Sequence, residues 1–217
     1  MHWIADVLGD LTPLSKTKTR RAENFQFLPN SILLTHDPIT KFRFATSEFK
    51  TIAIVRDPRD VVVSAAYYWM MKPPRDLETR RRFLGLDEMP AHVTFDKVLN
   101  ILKVRGHNPM WWEAYLVSDL PHHRIRYEDM WHNPHQTIIE AMHYLRCNPY
   151  LPQIDAAIQK QKRCRFLSKG RGRGEEDVND HYRKGIIGDY KNYFTEEENW
   201  AFCQRWSGTM EALGYEE

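Results

Sequence analysis

Apolar and polar positions along the chain change period several times, and each change marks an element. His2 to Leu11, "HWIADVLGDL", predicts a helix, and the following "TPLSKTKTRRAENF" predicts a basic loop. "SILLTH" is a short apolar run that predicts a strand. "TIAIVRDPRDVVVSAAYYWMM" predicts a β-branched strand, a turn at Pro58 and a helix entered near Asp60, whose carboxylate can cap free amides. Downstream, "TFDKVLNILKV", "MWWEAYLVSDL" and "HQTIIEAMHYLRC" predict helices, and "HRIRYEDM" predicts a strand leaving into a loop. "SKGRGRGEEDVND" breaks the pattern with glycine and charge. "TEEENWAFCQRWSGTMEALGY" closes the chain as a helix, with Thr195 as N-cap and three glutamates favourable to the helix dipole.

Strands alternating with helices predict an α/β fold, a central parallel sheet flanked by helices, in a single domain over residues 1–217. That length, with 42% hydrophobic residues, is enough to bury a core without disulfides or a metal. Three widely spaced cysteines, Cys147, Cys164 and Cys203, favour a reducing compartment. The sequence holds no apolar run long enough for a membrane span and no signal-peptide pattern, so a cytoplasmic protein is expected. A net charge of +2 does not announce a nucleic-acid binder, and any anion site must come from local clustering.

In α/β sheets ligands sit beyond the carboxyl ends of strands. His36 closes one predicted strand and Arg56 another, with Ser64 in the helix that follows Arg56. The segment "HYRKGIIGDYKNYFT" sets Arg183 and Lys184 directly before Gly185, whose backbone can approach a ligand with no Cβ in the way. Two readings stand side by side. Arg56 and Ser64 join the later segment around one phosphate, or Arg56 pairs with Asp57 or Asp60 and Ser64 only caps or packs. The histidines of "PHH" and "HNPHQ" lack metal-ligand spacing, and no metal is expected. "MWWEAYL" and "SAAYYWMM" read first as packing faces. "GRGRGEED" carries too few arginines for an RNA-binding segment and reads as a loop over the site.

"LLTHDP", "IVRDPRDVVVSAAYY", "RYEDM" and above all "HYRKGIIGDYKNYFT", taken in this order, resemble the cytosolic-type sulfotransferases, which use 3′-phosphoadenosine 5′-phosphosulfate (PAPS). The resemblance implies that Arg56, Ser64, Arg183, Lys184 and Gly185 hold the 3′-phosphate. It gives Trp3, Tyr127 and Phe166 to the adenine. His36 becomes the general base that takes a proton from the hydroxyl or amine of a small-molecule acceptor, and the product nucleotide is 3′-phosphoadenosine 5′-phosphate (PAP).

The chain also departs from the family pattern. It begins at "MHWIADVL", which resembles the Trp-bearing helix that in the family follows a Lys-Ser-Gly-Thr loop around the 5′-phosphosulfate, so that loop is expected to be absent. Leu34 stands where a lysine often precedes the catalytic histidine. Glu196 and Trp200 replace residues of a dimer motif that Lys191 and Thr195 otherwise match. The alternative to an active transferase is therefore an impaired remnant that binds PAP or PAPS. A P-loop kinase relative is disfavoured, because the chain has no "GxxxxGK[ST]" string.

Overall fold

The computed structural model describes residues 2–12, 15–18, 31–34, 50–70, 78, 81, 93–106, 122–148, 150–165, 174–177 and 183–215. The chain divides into two compact units, residues 1–55 with 110–172 and residues 56–109 with 173–217. The architecture is α/β, with parallel strands flanked by helices. Among the described residues the strands form two parallel pairs.

In the first unit, helix α1 (His2–Leu11) precedes strands β1 (Ser15–Lys18) and β2 (Ser31–Leu34), which pair from Ser15 opposite Ser31 to Lys18 opposite Leu34. Strand β3 (Thr51–Val55) pairs with β4 (His122–Arg126), Thr51 opposite His122 and Val55 opposite Arg126. After β4 come a short helix α4 (Asp129–His132), then α5 (Pro134–Tyr144) and α6 (Leu151–Arg165). The core gathers Val7 and Leu8 of α1, Ile125 of β4, Ile138 and Ala141 of α5, and Ile154 and Ile158 of α6. Ile52 and Ile54 of β3 pack against it from one strand face.

Two elements of this unit depart from the sequence reading. The expected basic loop contains β1, four polar residues "SKTK" in which apolar alternation has nothing to register. Helix α6 was not foreseen either. Its apolar stripe is narrow, with Ile154, Ala157 and Ile158 buried at helical spacing and the buried Gln161 in line with them. Lys160 and Gln161 of α6 both hold Asp10 of α1, at 2.8 Å each.

In the second unit, α2 (Pro58–Met70) starts with proline at a position where its missing N–H costs nothing. The N-cap is Asp57, whose carbonyl accepts from Val61 at 3.0 Å and whose Oδ1 accepts from the Arg59 amide at 2.9 Å. Asp60, foreseen in that capping role, serves elsewhere. Helix α3 (Phe95–Arg105), capped by Thr94, packs on α2 and on α7 (Glu196–Arg205). Thr195 and Glu198 form a reciprocal capping box at the start of α7. The expected single C-terminal helix is divided at Trp206, after which α8 (Ser207–Leu213) runs to a left-handed Gly214. The ring of Trp206 lies where a side chain at Gly106 would stand, 2.8 Å from an ideal Cβ there. The predicted helix in "MWWEAYLVSDL" falls outside the described residues.

Candidate functional site

Asp60 organises the second unit's polar centre. Its residue is 1% exposed, yet both carboxylate oxygens are satisfied. Oδ2 accepts from Arg56 Nη2 at 3.1 Å and from the Gly188 amide at 2.9 Å, and Oδ1 accepts from the Tyr190 amide at 2.9 Å. Arg56 Nη2 also donates to the carbonyl of Ile186 at 2.9 Å. The turn after β3 is thus tied to a segment some 130 residues later. Gly188 adopts φ +75°, the left-handed conformation in which a residue with a side chain would be strained, and its amide meets Asp60 there.

Asp60, Ser64 and Tyr67 share one stripe of α2, at spacings of four and three. Asp60 reaches residues 188 and 190, and Tyr67 reaches Arg183 and Tyr193. Ser64 lies between them on the same stripe and is exposed.

Arg183 is enclosed on several sides. Its guanidinium lies 4.1 Å from the centre of the Tyr67 ring, Nη1 donates to Tyr193 Oη at 3.2 Å and to Glu176, and Nη2 donates to Asp189. Lys184 Nζ donates to Asp189 Oδ1 at 3.2 Å and stands 3.7 Å from Glu176 Oε2. The hydroxyls of Tyr67 and Tyr193 are 2.9 Å apart. Burial, reinforced by that hydrogen bond, pushes the Tyr67 phenol far above its ordinary range. Gly185 follows with φ +64°.

The carboxylates respond in the opposite sense. Burial acts to raise the Asp189 carboxyl, but hydrogen bonds from Asn192 and Arg183 and the nearby positive charge outweigh it and hold it below the usual range. Burial acts to lower Lys184, and the hydrogen bond and charge of Asp189 raise it instead. A carboxylate whose folded pKa is depressed stabilises the fold above its unfolded pKa and loses that contribution as pH falls through the folded value. Wild type should therefore exceed Asp189→Asn most at neutral pH, and the gap should close below about pH 4. Thermal melts of both proteins from pH 7 to pH 3 check this, and parallel curves would contradict it.

Of the residues singled out in the sequence, the second unit brings Arg56 together with the Arg183 to Gly188 segment, with Ser64 on the facing stripe. The ion-pair reading of Arg56 is also realised, through Asp60. Tyr127 belongs to the first unit, where its amide extends the β3–β4 ladder by donating to Val55 at 2.7 Å and its ring meets Trp131 edge-on. Trp3 lies in α1, its side chain outside the described set. His36 and Phe166 also lie outside the described residues. The sequence reading missed Asp60 as a tie between segments, Tyr67 and Tyr193 as the arginine's aromatic partners, and Glu176. Spacing did offer one signal, the Arg56–Asp60 pair one helical turn apart.

Residues 6–214 match the family described as Sulfotransferase domain. The chain belongs to the sulfotransferase family. It is 27% identical over 184 residues to mouse sulfotransferase 2A1, covering 79% of this chain and 60% of that protein. It is 26% identical over 214 residues to mouse sulfotransferase 2A2, covering 92% and 71%. The chain therefore spans 60 to 71% of the length of these relatives. The structure of mouse sulfotransferase SULT7A1 complexed with PAP superposes with a TM-score of 0.67 at 21% identity, over 96% of this chain and 79% of that one. Retinol dehydratase in complex with androsterone and inactive cofactor PAP gives 0.61 at 20% identity, over 87% and 55%. These likenesses establish the sulfotransferase fold. Among the described residues no helix is long and apolar enough to cross a membrane, and no group of three or more His, Cys, Asp and Glu side chains could hold a metal ion.

Proposed function

We propose that the chain is a PAPS-dependent sulfotransferase that moves a sulfuryl group to the hydroxyl or amine of a small molecule. The observation that carries this reading is the junction of the two motif segments in the second unit. Arg56 reaches the Ile186 carbonyl, while Ser64, Arg183, Lys184 and Gly185 supply a hydroxyl, two cations and a left-handed backbone turn. This donor set suits a phosphate, for which a planar guanidinium and a point-charge ammonium are complementary partners. In the reading, these residues bind the 3′-phosphate shared by PAPS and PAP.

The family resemblance supplies the remaining roles. Trp3, Tyr127 and Phe166 contact the adenine, and His36 accepts the proton of the attacking group. As the acceptor atom bonds to sulfur, the bond from sulfur to the phosphate oxygen breaks, and that oxygen leaves with PAP. Sulfuryl transfer of this kind is an in-line displacement, so positioning and electrostatics provide most of the acceleration. Histidine suits the base because its ordinary pKa lies near neutrality. The scheme calls for no metal. A reducing, cytoplasmic setting belongs to the same reading, from the three widely spaced cysteines of the sequence.

Calorimetric titration with PAP tests the phosphate assignment. Arg183→Ala should weaken binding by about 10- to 100-fold, the equivalent of one charge-assisted hydrogen bond of roughly 1.5–3 kcal/mol. Lys191→Ala, an exposed cation outside the cluster, should change affinity by less than about threefold. Equal affinity for wild type and Arg183→Ala would remove Arg183 from the site.

A further inference from the structure

Arg183 and Lys184 face two carboxylates, and the two are held very differently. Asp189 has a side chain only 3% exposed and is braced by Asn192 Nδ2 at 2.9 Å. Glu176 has a side chain 34% exposed, and its carboxylate is given to the two cations, one oxygen toward each. Its segment lies alongside theirs through main-chain bonds, the Gly174 amide to the Lys184 carbonyl and the Asp177 amide to the Arg183 carbonyl, both at 3.0 Å. Asp189 is thus built into the fold, whereas Glu176, a third exposed, can swing its carboxylate into water.

We infer that Glu176 is an internal competitor for the nucleotide's 3′-phosphate, its carboxylate holding Arg183 and Lys184 in the free protein and giving them up when the nucleotide binds. The inference rests on the phosphate reading above. With Glu176 and Asp189 both in place, the two cations are neutralised and attract no further anion. With Glu176 displaced, one positive charge is uncovered for the incoming phosphate. Both groups present negatively charged oxygens, so Arg183 keeps a charged acceptor throughout and its contact with Tyr67 need not change. Binding then carries the cost of opening the Glu176 contact, which lowers apparent affinity by the fraction of molecules already open. The same contact re-forming behind the departing nucleotide favours release.

Calorimetry with PAP and with adenosine 5′-phosphate, which lacks the 3′-phosphate, tests this on wild type, Glu176→Gln and Arg183→Ala. Glu176→Gln should bind PAP about three- to tenfold more tightly, a range matching a partly exposed ion pair. It should bind adenosine 5′-phosphate as wild type does. Glu175→Gln removes the same unit of charge one residue away and should give a smaller gain, which separates the specific contact from general electrostatics. Glu176→Ala provides an independent second removal of the carboxylate and should show the same direction. If Glu176→Gln and Glu176→Ala bind PAP no better than wild type while Arg183→Ala binds it worse, the competitor role is overturned and the phosphate site stands. If PAP affinity is indifferent to Arg183, the phosphate site and the competitor role fall together.

Discussion

Replacing Asp60 by alanine is expected to lower the unfolding free energy of the chain by about 3–5 kcal/mol, the range seen when one partner of a buried ion pair is removed. The carboxylate is buried and serves three donors at once, the Arg56 guanidinium and the amides of Gly188 and Tyr190. Alanine would leave both amides without this acceptor and would break the ion pair. Asparagine should cost less, because its amide oxygen can still accept from one main-chain N–H, but its NH2 would then face a donor. Urea denaturation followed by tryptophan fluorescence gives both values. A loss for Asp60→Ala below about 1 kcal/mol would mean that the surrounding structure does not depend on this tie. The same change should weaken PAP binding, since the Ile186 to Tyr190 turn sits directly after the proposed phosphate residues.

Exchange of His36 for alanine should reduce the rate of sulfuryl transfer by about 100- to 10,000-fold while leaving PAP affinity within about twofold, because a positioned base acts on the acceptor's proton and not on the nucleotide. Glutamine at the same position should behave like alanine in rate. Turnover measured at saturating PAPS, alongside PAP calorimetry on the same preparations, separates the two effects. Undiminished transfer by His36→Ala would assign the proton to another group. A parallel loss of PAP affinity would instead make His36 part of the nucleotide site.

Local features were legible in the sequence, and features closed by distant main chain were not. Thr195 with Glu198 announces a helix start within four residues, and the structure has the full capping box there. The β-branched run Thr51–Val55 followed by proline announces a strand and a helix, and both occur. Asp60 sits beside those signals and reads as one more helix cap. Besides Arg56, its partners are amides 128 and 130 positions away, and a main-chain amide leaves no mark in a sequence. Strand β1 has no apolar residue, and the α6 stripe is diluted by lysine, arginine and glutamine, so periodicity was weak in both.

The site shows the same division. The cations at Arg56, Arg183 and Lys184 stand out by residue type. Asp189 and Glu176, which neutralise Arg183 and Lys184, are acidic residues of a kind common in loops, and nothing in their spacing indicates that both would turn onto Arg183. Tyr67 belongs to an aromatic run that reads as packing. Its ring does pack, against Phe95 at 4.3 Å between centroids, and it also lies against Arg183. One side chain serves both roles, and a sequence pattern records only the first.

The central claim is that Arg56, Ser64, Arg183, Lys184 and Gly185 recognise a 3′-phosphate. The most direct test is the affinity difference between PAP and adenosine 5′-phosphate, measured by calorimetry on wild type and on Arg183→Ala. Wild type should prefer PAP by at least about tenfold, since the 3′-phosphate adds charge-assisted hydrogen bonds of roughly 1.5–3 kcal/mol each, and Arg183→Ala should lose most of that preference. Equal affinity of the wild-type protein for the two nucleotides would contradict the account.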